Sequence, residues 1–147
     1  MTTSDQSLSS GDVELVVTYG ECVGYCTTIL RVSGTLVTLT RVSDLEADPD
    51  QVAVAEASEE WASQVRATLE SVDTQDLESI YGNPDSRDEG AATVRIVHEG
   101  AVSEHTYSAV DPPPPLTDLH GLLMPILEAW VNGEPIPGFD GRSPPPR

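Results

Sequence analysis

"CTTILRVSGTLVTLTRV", residues 26–42, is the stretch whose reading decides the fold. Thr28, Leu30 and Val32 alternate with Ile29, Arg31 and Ser33, and the same period of two resumes from Thr35 to Val42. Such a period places one residue set on each face of an extended chain, and Ser33-Gly34 between the runs supplies a short reversal. The stretch reads as a β-hairpin. Upstream, "VELVVTY" sets Val13, Leu15, Val17 and Tyr19 on one face of a further strand. Between that strand and the hairpin stands "GECVGYCTT", residues 20–28, with the chain's two cysteines, Cys22 and Cys26.

Downstream, "SDLEADPDQVAVAEA", residues 43–57, is acidic and alanine-rich around a brief alternation at Val52 and Val54, and reads as a loop with room for one short strand. The next segment is a helix: Ser58 is its N-cap, Glu59 and Glu60 occupy the first turn, and Trp61, Val65, Thr68, Leu69 and Val72 recur at helical spacing. "TQDLESIYG" predicts a second helical piece with Leu77, Ile80 and Tyr81 inward and Gly82 as its stop. After a polar loop, residues 83–91, "TVRIVHEGAVSEHTYSAV" alternates on both sides of Glu99-Gly100 as a second hairpin.

Four prolines, 112–115, then predict an extended polyproline segment. The last helix follows, with Thr117 as N-cap and Leu119, Leu122, Leu123, Ile126, Leu127, Trp130 and Val131 on its broad apolar face; Pro125 should kink it and Gly133 end it. The order predicts one α+β domain over residues 12–133: a four- to five-stranded antiparallel sheet built from two hairpins, with two to three helices on one face. Residues 1–11, Ser- and Asp-rich, are expected to be a disordered tail, and residues 134–147 a Pro/Gly-rich one.

The chain carries 25 Asp and Glu against seven basic residues, all arginine, for a net charge of -18. That field repels phosphate backbones and anionic membranes and favours either solubility alone or a basic protein partner met by steered encounter. The N-terminus has neither the basic nor the apolar region of a secretory signal, and no apolar run approaches a membrane span, so a cytoplasmic protein is expected.

Chemistry has few carriers. Without lysine there is neither Schiff-base chemistry on lysine nor a phosphate-loop lysine, and no nucleophile motif is present. Cys22 and Cys26 are separated by a three-residue spacer, one longer than in thioredoxin-type motifs, with no helix start after them to activate a thiol. Their readings are a disulfide, a redox pair, half a zinc site completed by two of His98, His105 and His120, or two reduced thiols that shape a Gly24-bent loop. The three histidines could serve as general bases, but nothing in the sequence pairs them with a nucleophile. Asp85, Asp88 and Glu89 lack the ligand alternation of an EF-hand loop and read as a solvated turn. Trp61 and Trp130 sit on apolar helical stripes and read as core.

Two resemblances bear on this layout. "ECVGYCTTILRVSGTLVTLTR" resembles the start of an uncharacterised domain family of small bacterial proteins with a cysteine-containing loop before such a hairpin. From Val13 to Val131, the succession of hairpin, "SEEWASQVRATLESVD" helix, "LESIYGNPDSRDEG" passage, "TVRIVHEGAVSEHTY" hairpin, prolines and terminal helix is similar to emfourin-type inhibitors of thermolysin-like metalloproteases. That similarity implies the α+β fold and a protease partner, and no inhibitory residue is carried over from it. The expectation is a non-enzymatic acidic factor that binds a basic protein or a protease, without cofactor or metal, as a monomer or weak dimer. Contacts are expected at Val23 and Tyr25 and at Asp85, Asp88 and Glu89, in the irregular segments between elements. The alternatives are a small metal-binding or thiol-redox protein using Cys22 and Cys26, or an accessory domain of a neighbouring enzyme.

Overall fold

The computed structural model describes residues 11–19, 23–82, 90–98 and 100–134, with the side chain of His98 not described. Six strands form one antiparallel sheet: β1 (Val13–Thr18), β2 (Tyr25–Ser33), β3 (Leu36–Ser43), β4 (Gln51–Glu56), β5 (Ala91–His98) and β6 (Ala101–Ser108). Their spatial order is β4-β3-β2-β1-β5-β6. The helices are α1 (Glu59–Ser71), between β4 and β5, and α2 (Thr117–Asn132), after β6.

The hairpin that opens the reading is β2–β3, with Leu30 opposite Leu39 and Val32 opposite Val37. β1 lies at the centre of the sheet, pairing with β2 on one side and β5 on the other. Hence Val13, Leu15 and Val17 are 0–2% exposed. Register carries the apolar face across the strands: one row runs Val94, Leu15, Leu30, Leu39, Ala53, and the next Ile96, Val13, Val32, Val37, Ala55. Trp61, Val65 and Leu69 of α1 and Leu119, Leu123, Ile126, Leu127 and Trp130 of α2 close over these rows in a single core. A one-residue slip of any strand would move its whole apolar set to the other face, so burial itself pins the register.

Several expectations need correction. The sheet has six strands, not four or five, because "QVAVAE" pairs along its full length with β3. Only Ala53 of that strand is buried, since an edge strand under the rim of the helices needs little apolar side chain. The second helical piece is a single 3-10 turn at Thr74–Asp76. Beyond it the chain runs extended along the edge of β6, where Thr106 N–H donates to Ser79 O (2.8 Å) and Tyr81 N–H to Thr106 O (2.9 Å). Leu77 and Tyr81 do pack on the core, but Ile80 is 61% exposed. Pairing with an otherwise open sheet edge satisfies more backbone groups than a short helix could, and it caps that edge.

The last two prolines of the run enter a 3-10 turn, Pro114–Leu116, that feeds α2; proline's fixed φ suits a first helical turn. Thr117 is not the N-cap: its hydroxyl donates to Pro113 O at 3.1 Å, and α2 begins without a side-chain cap. Ser58 caps α1 by accepting from Trp61 N–H, and α2 ends at Gly133 in the left-handed conformation. No helix among the described residues is long and apolar enough to cross a membrane.

Candidate functional site

The helix-covered face loses its apolar character one register row beyond the core. That row runs Ala92, Val17, Thr28, Arg41, Gln51 across β5, β1, β2, β3 and β4. Arg41 is the third residue in the inward series Val37, Leu39, Arg41, so the alternation that buries the core also turns a guanidinium under the last turns of α2. It lines a cavity of about 290 Å3, with Val17 and Thr28 in the wall and Met124, Leu127, Glu128 and Val131 contributed by α2. Tyr19, Tyr25 and Asn132 complete it.

Two loops are clasped together above this cavity. Gly24 N–H donates to Asp44 Oδ1 and Asp44 N–H to Gly24 O, both at 2.9 Å. Tyr25 Oη donates to Pro49 O at 2.7 Å, and Ser43 Oγ donates to Asp48 Oδ2 at 2.9 Å. Gly24 has φ of 100°, a value that L side chains rarely adopt, and this lets the chain reverse into β2. The β1–β2 and β3–β4 connections are thereby one surface. On it Val23, Leu45 and Tyr19 are exposed by 81%, 46% and 40%, among the exposed carboxylates Asp44, Glu46 and Asp50.

The cavity's electrostatics centre on Arg41. Its guanidinium carbon lies 5.2 Å from the centroid of the Tyr25 ring, within cation–π range. One Nη donates to Gln51 Oε1 at 3.2 Å, and Nε is buried without a hydrogen-bond partner. No carboxylate among the described residues pairs with it. The two arginines on the opposite face are placed very differently: Arg31 and Arg95 flank Glu14 at 2.8 and 2.7 Å, and Arg95 also meets Glu104 at 2.6 Å.

Of the residues singled out from sequence, Val23 and Tyr25 lie at this sheet end, Val23 outward and Tyr25 half-buried between the loops and the cavity. Asp85, Asp88, Glu89 and Cys22 fall outside the described residues. Cys26 is disulfide-bonded and 6% exposed. A sulfur held in a disulfide is neither nucleophile nor metal ligand until it is reduced. His105 is buried, its Nδ1 2.7 Å from Glu78 O, where it fastens the extended segment onto β6. His120 is buried with Nδ1 2.8 Å from Tyr107 Oη; burial lowers its pKa, partly offset by a hydrogen bond to the Ala109 backbone. Burial likewise raises the Tyr107 phenol well above its ordinary range. Among the described residues no three His, Cys, Asp or Glu side chains converge as a metal site.

Sequence reasoning missed Arg41, because the "LTRV" it belongs to reads as an ordinary strand end. The available signal was its phase: counting in twos from Val37 puts it on the inner face. Compared with known family models and with curated proteins, the chain matches none.

Proposed function

We propose that this protein is a non-enzymatic binding factor, an inhibitor or immunity-type protein whose acidic surface engages another protein. The observation that carries the reading is the sheet end where Val23, Leu45 and Tyr19 are exposed together with the carboxylates Asp44, Glu46 and Asp50 of the β3–β4 connection. An apolar centre with a charged rim is the anatomy of a recognition surface, and the hydrogen bonds between Gly24 and Asp44 and from Tyr25 to Pro49 join its described parts. The rim and the -18 charge select a basic counterpart and speed its encounter. The resemblance to emfourin-type chains adds a thermolysin-like metalloprotease as the partner to test first. A redox or metal reading of the cysteines depends on reducing the disulfide at Cys26 and has no geometry of its own.

Titration of the protein into purified thermolysin tests the protease-directed form. Inhibition that saturates at one equivalent, and that is lost in Val23→Asp, is the expected result. Full protease activity at tenfold molar excess on the order of micromolar concentration would remove that form and leave the general binding reading to stand on partner capture.

A further inference from the structure

We propose that the cavity beneath the clasped loops is a binding site for a small carboxylic acid with an apolar body, held through Arg41. Three observations converge on it. The guanidinium lies in the wall of a half-open pocket of mixed lining, where the apolar side chains of Met124, Leu127 and Val131 stand beside the polar Thr28, Glu128 and Asn132. Among the described residues it carries one hydrogen bond, to the neutral Gln51, out of five N–H donors. In a chain with 25 carboxylates, it has no acidic partner among the described residues, whereas Arg31 and Arg95 are both ion-paired.

The geometry also selects the ligand's class. A planar guanidinium backed by Gln51 and stacked near Tyr25 presents a fork that matches one carboxylate. A dianionic phosphate would need more positive charge than a single arginine supplies within a field of -18. About 290 Å3 lies at the lower edge of the roughly 300–1,000 Å3 typical of ligand pockets, which suits an acid built on a single ring or a short chain. Glu128, exposed at the edge of the cavity, opposes an incoming anion and sets an upper bound on affinity. The site shares Tyr19 with the proposed protein-binding surface, but Val23 and Leu45 are not part of its wall, so it does not rest on that reading.

Phenylacetate is the probe, with the neutral isostere phenylacetamide as control, titrated calorimetrically into the full chain. Phenylacetate should bind at one site with sub-millimolar affinity and phenylacetamide at least about tenfold more weakly. Arg41→Gln should weaken phenylacetate by about tenfold or more. Glu128→Gln, a substitution at an exposed position that leaves the core untouched, should tighten it about two- to fivefold. This opposite-signed pair separates a ligand site from a structural arginine. The proposal is overturned by equal binding of acid and amide, by no binding of phenylacetate up to about 10 mM, or by an affinity that Glu128→Gln leaves unchanged or weakens.

Discussion

Glu14 is 3% exposed on the face of the sheet that the helices leave uncovered. Register explains its neighbours: Arg31 stands directly opposite on β2, Arg95 on β5, and Glu104 opposite Arg95 on β6, so one row alternates in charge across four strands. Glu104 foremost, with Glu14, holds the Arg95 guanidinium charged above its ordinary range against the lowering effect of burial. The two arginines remain 38% and 43% exposed and could return to water, while Glu14 could not. Replacing both by alanine should therefore lower stability by about 3 kcal/mol, and Glu14→Leu by clearly less, as measured by urea denaturation. A larger loss from Glu14→Leu would show that the arginines, not the carboxylate, depend on the network.

His120 gives a pH dependence with a definite sign. Burial lowers its folded-state pKa below the unfolded value of 6.5, so the folded protein holds a neutral imidazole. Its contribution is fully present above the unfolded pKa and is lost as pH falls from there through the lower folded pKa, because the unfolded chain takes up the proton first. Thermal melts from about pH 7 to about pH 5 should fall more steeply for the wild type than for His120→Gln. Parallel slopes would refute this role. At this scale the sequence revealed residue types but not partners: nothing near Glu14 in the chain announces that Arg95 lies opposite it.

Among the elements, those with a strong period were legible. The β2–β3 hairpin and α1 with its Ser58 cap stand where alternation and helical spacing put them. Residues 74–82, misread as helical, and β4, read only as a loop with room for one short strand, are the segments whose structure comes from an edge. β4 has a single buried side chain and takes its form from pairing with β3, and the extended segment takes its form from β6. The brief alternation in β4 marks its outward face, with Val52 and Val54 exposed, so burial gives little signal in such short edge pieces.

The junction before β5 tests how tightly these elements fit. Gly90 has φ of +81°, and a Cβ added there would lie 2.7 Å from Tyr19 Cε1. Its carbonyl accepts from Ala109 N–H at 3.0 Å, so the backbone cannot easily swing away. Gly90→Ala should lower stability by about 2–3 kcal/mol, combining left-handed strain with the clash. In a Tyr19→Ala background, which leaves only the strain, the same change should cost about 1–2 kcal/mol. Equal costs in the two backgrounds would mean that the ring moves aside freely.

As a whole molecule, the protein is an antiparallel sheet with two helices on one face, a charge ladder on the other, one edge capped by its own chain, and one end built from two clasped loops. The α+β class and the apolar face were readable in the sequence because burial imposes a period. The candidate site was readable only in part: Val23 and Tyr25 stand out as loop residues, but Arg41 and Leu45 join them through pairings thirteen and twenty residues apart, Thr28 with Arg41 and Gly24 with Asp44. What ties that end to function is a central claim about a surface, that Val23 and Leu45 within their acidic rim contact a protein partner. Affinity capture from source lysate, with wild type and a Val23→Asp, Leu45→Asp double variant side by side at low and high salt, tests it most directly. The account predicts one stoichiometric protein held by the wild type, released as salt rises, and absent from the double variant at either salt. A stoichiometric protein held equally by both, or none held by the wild type, would contradict it.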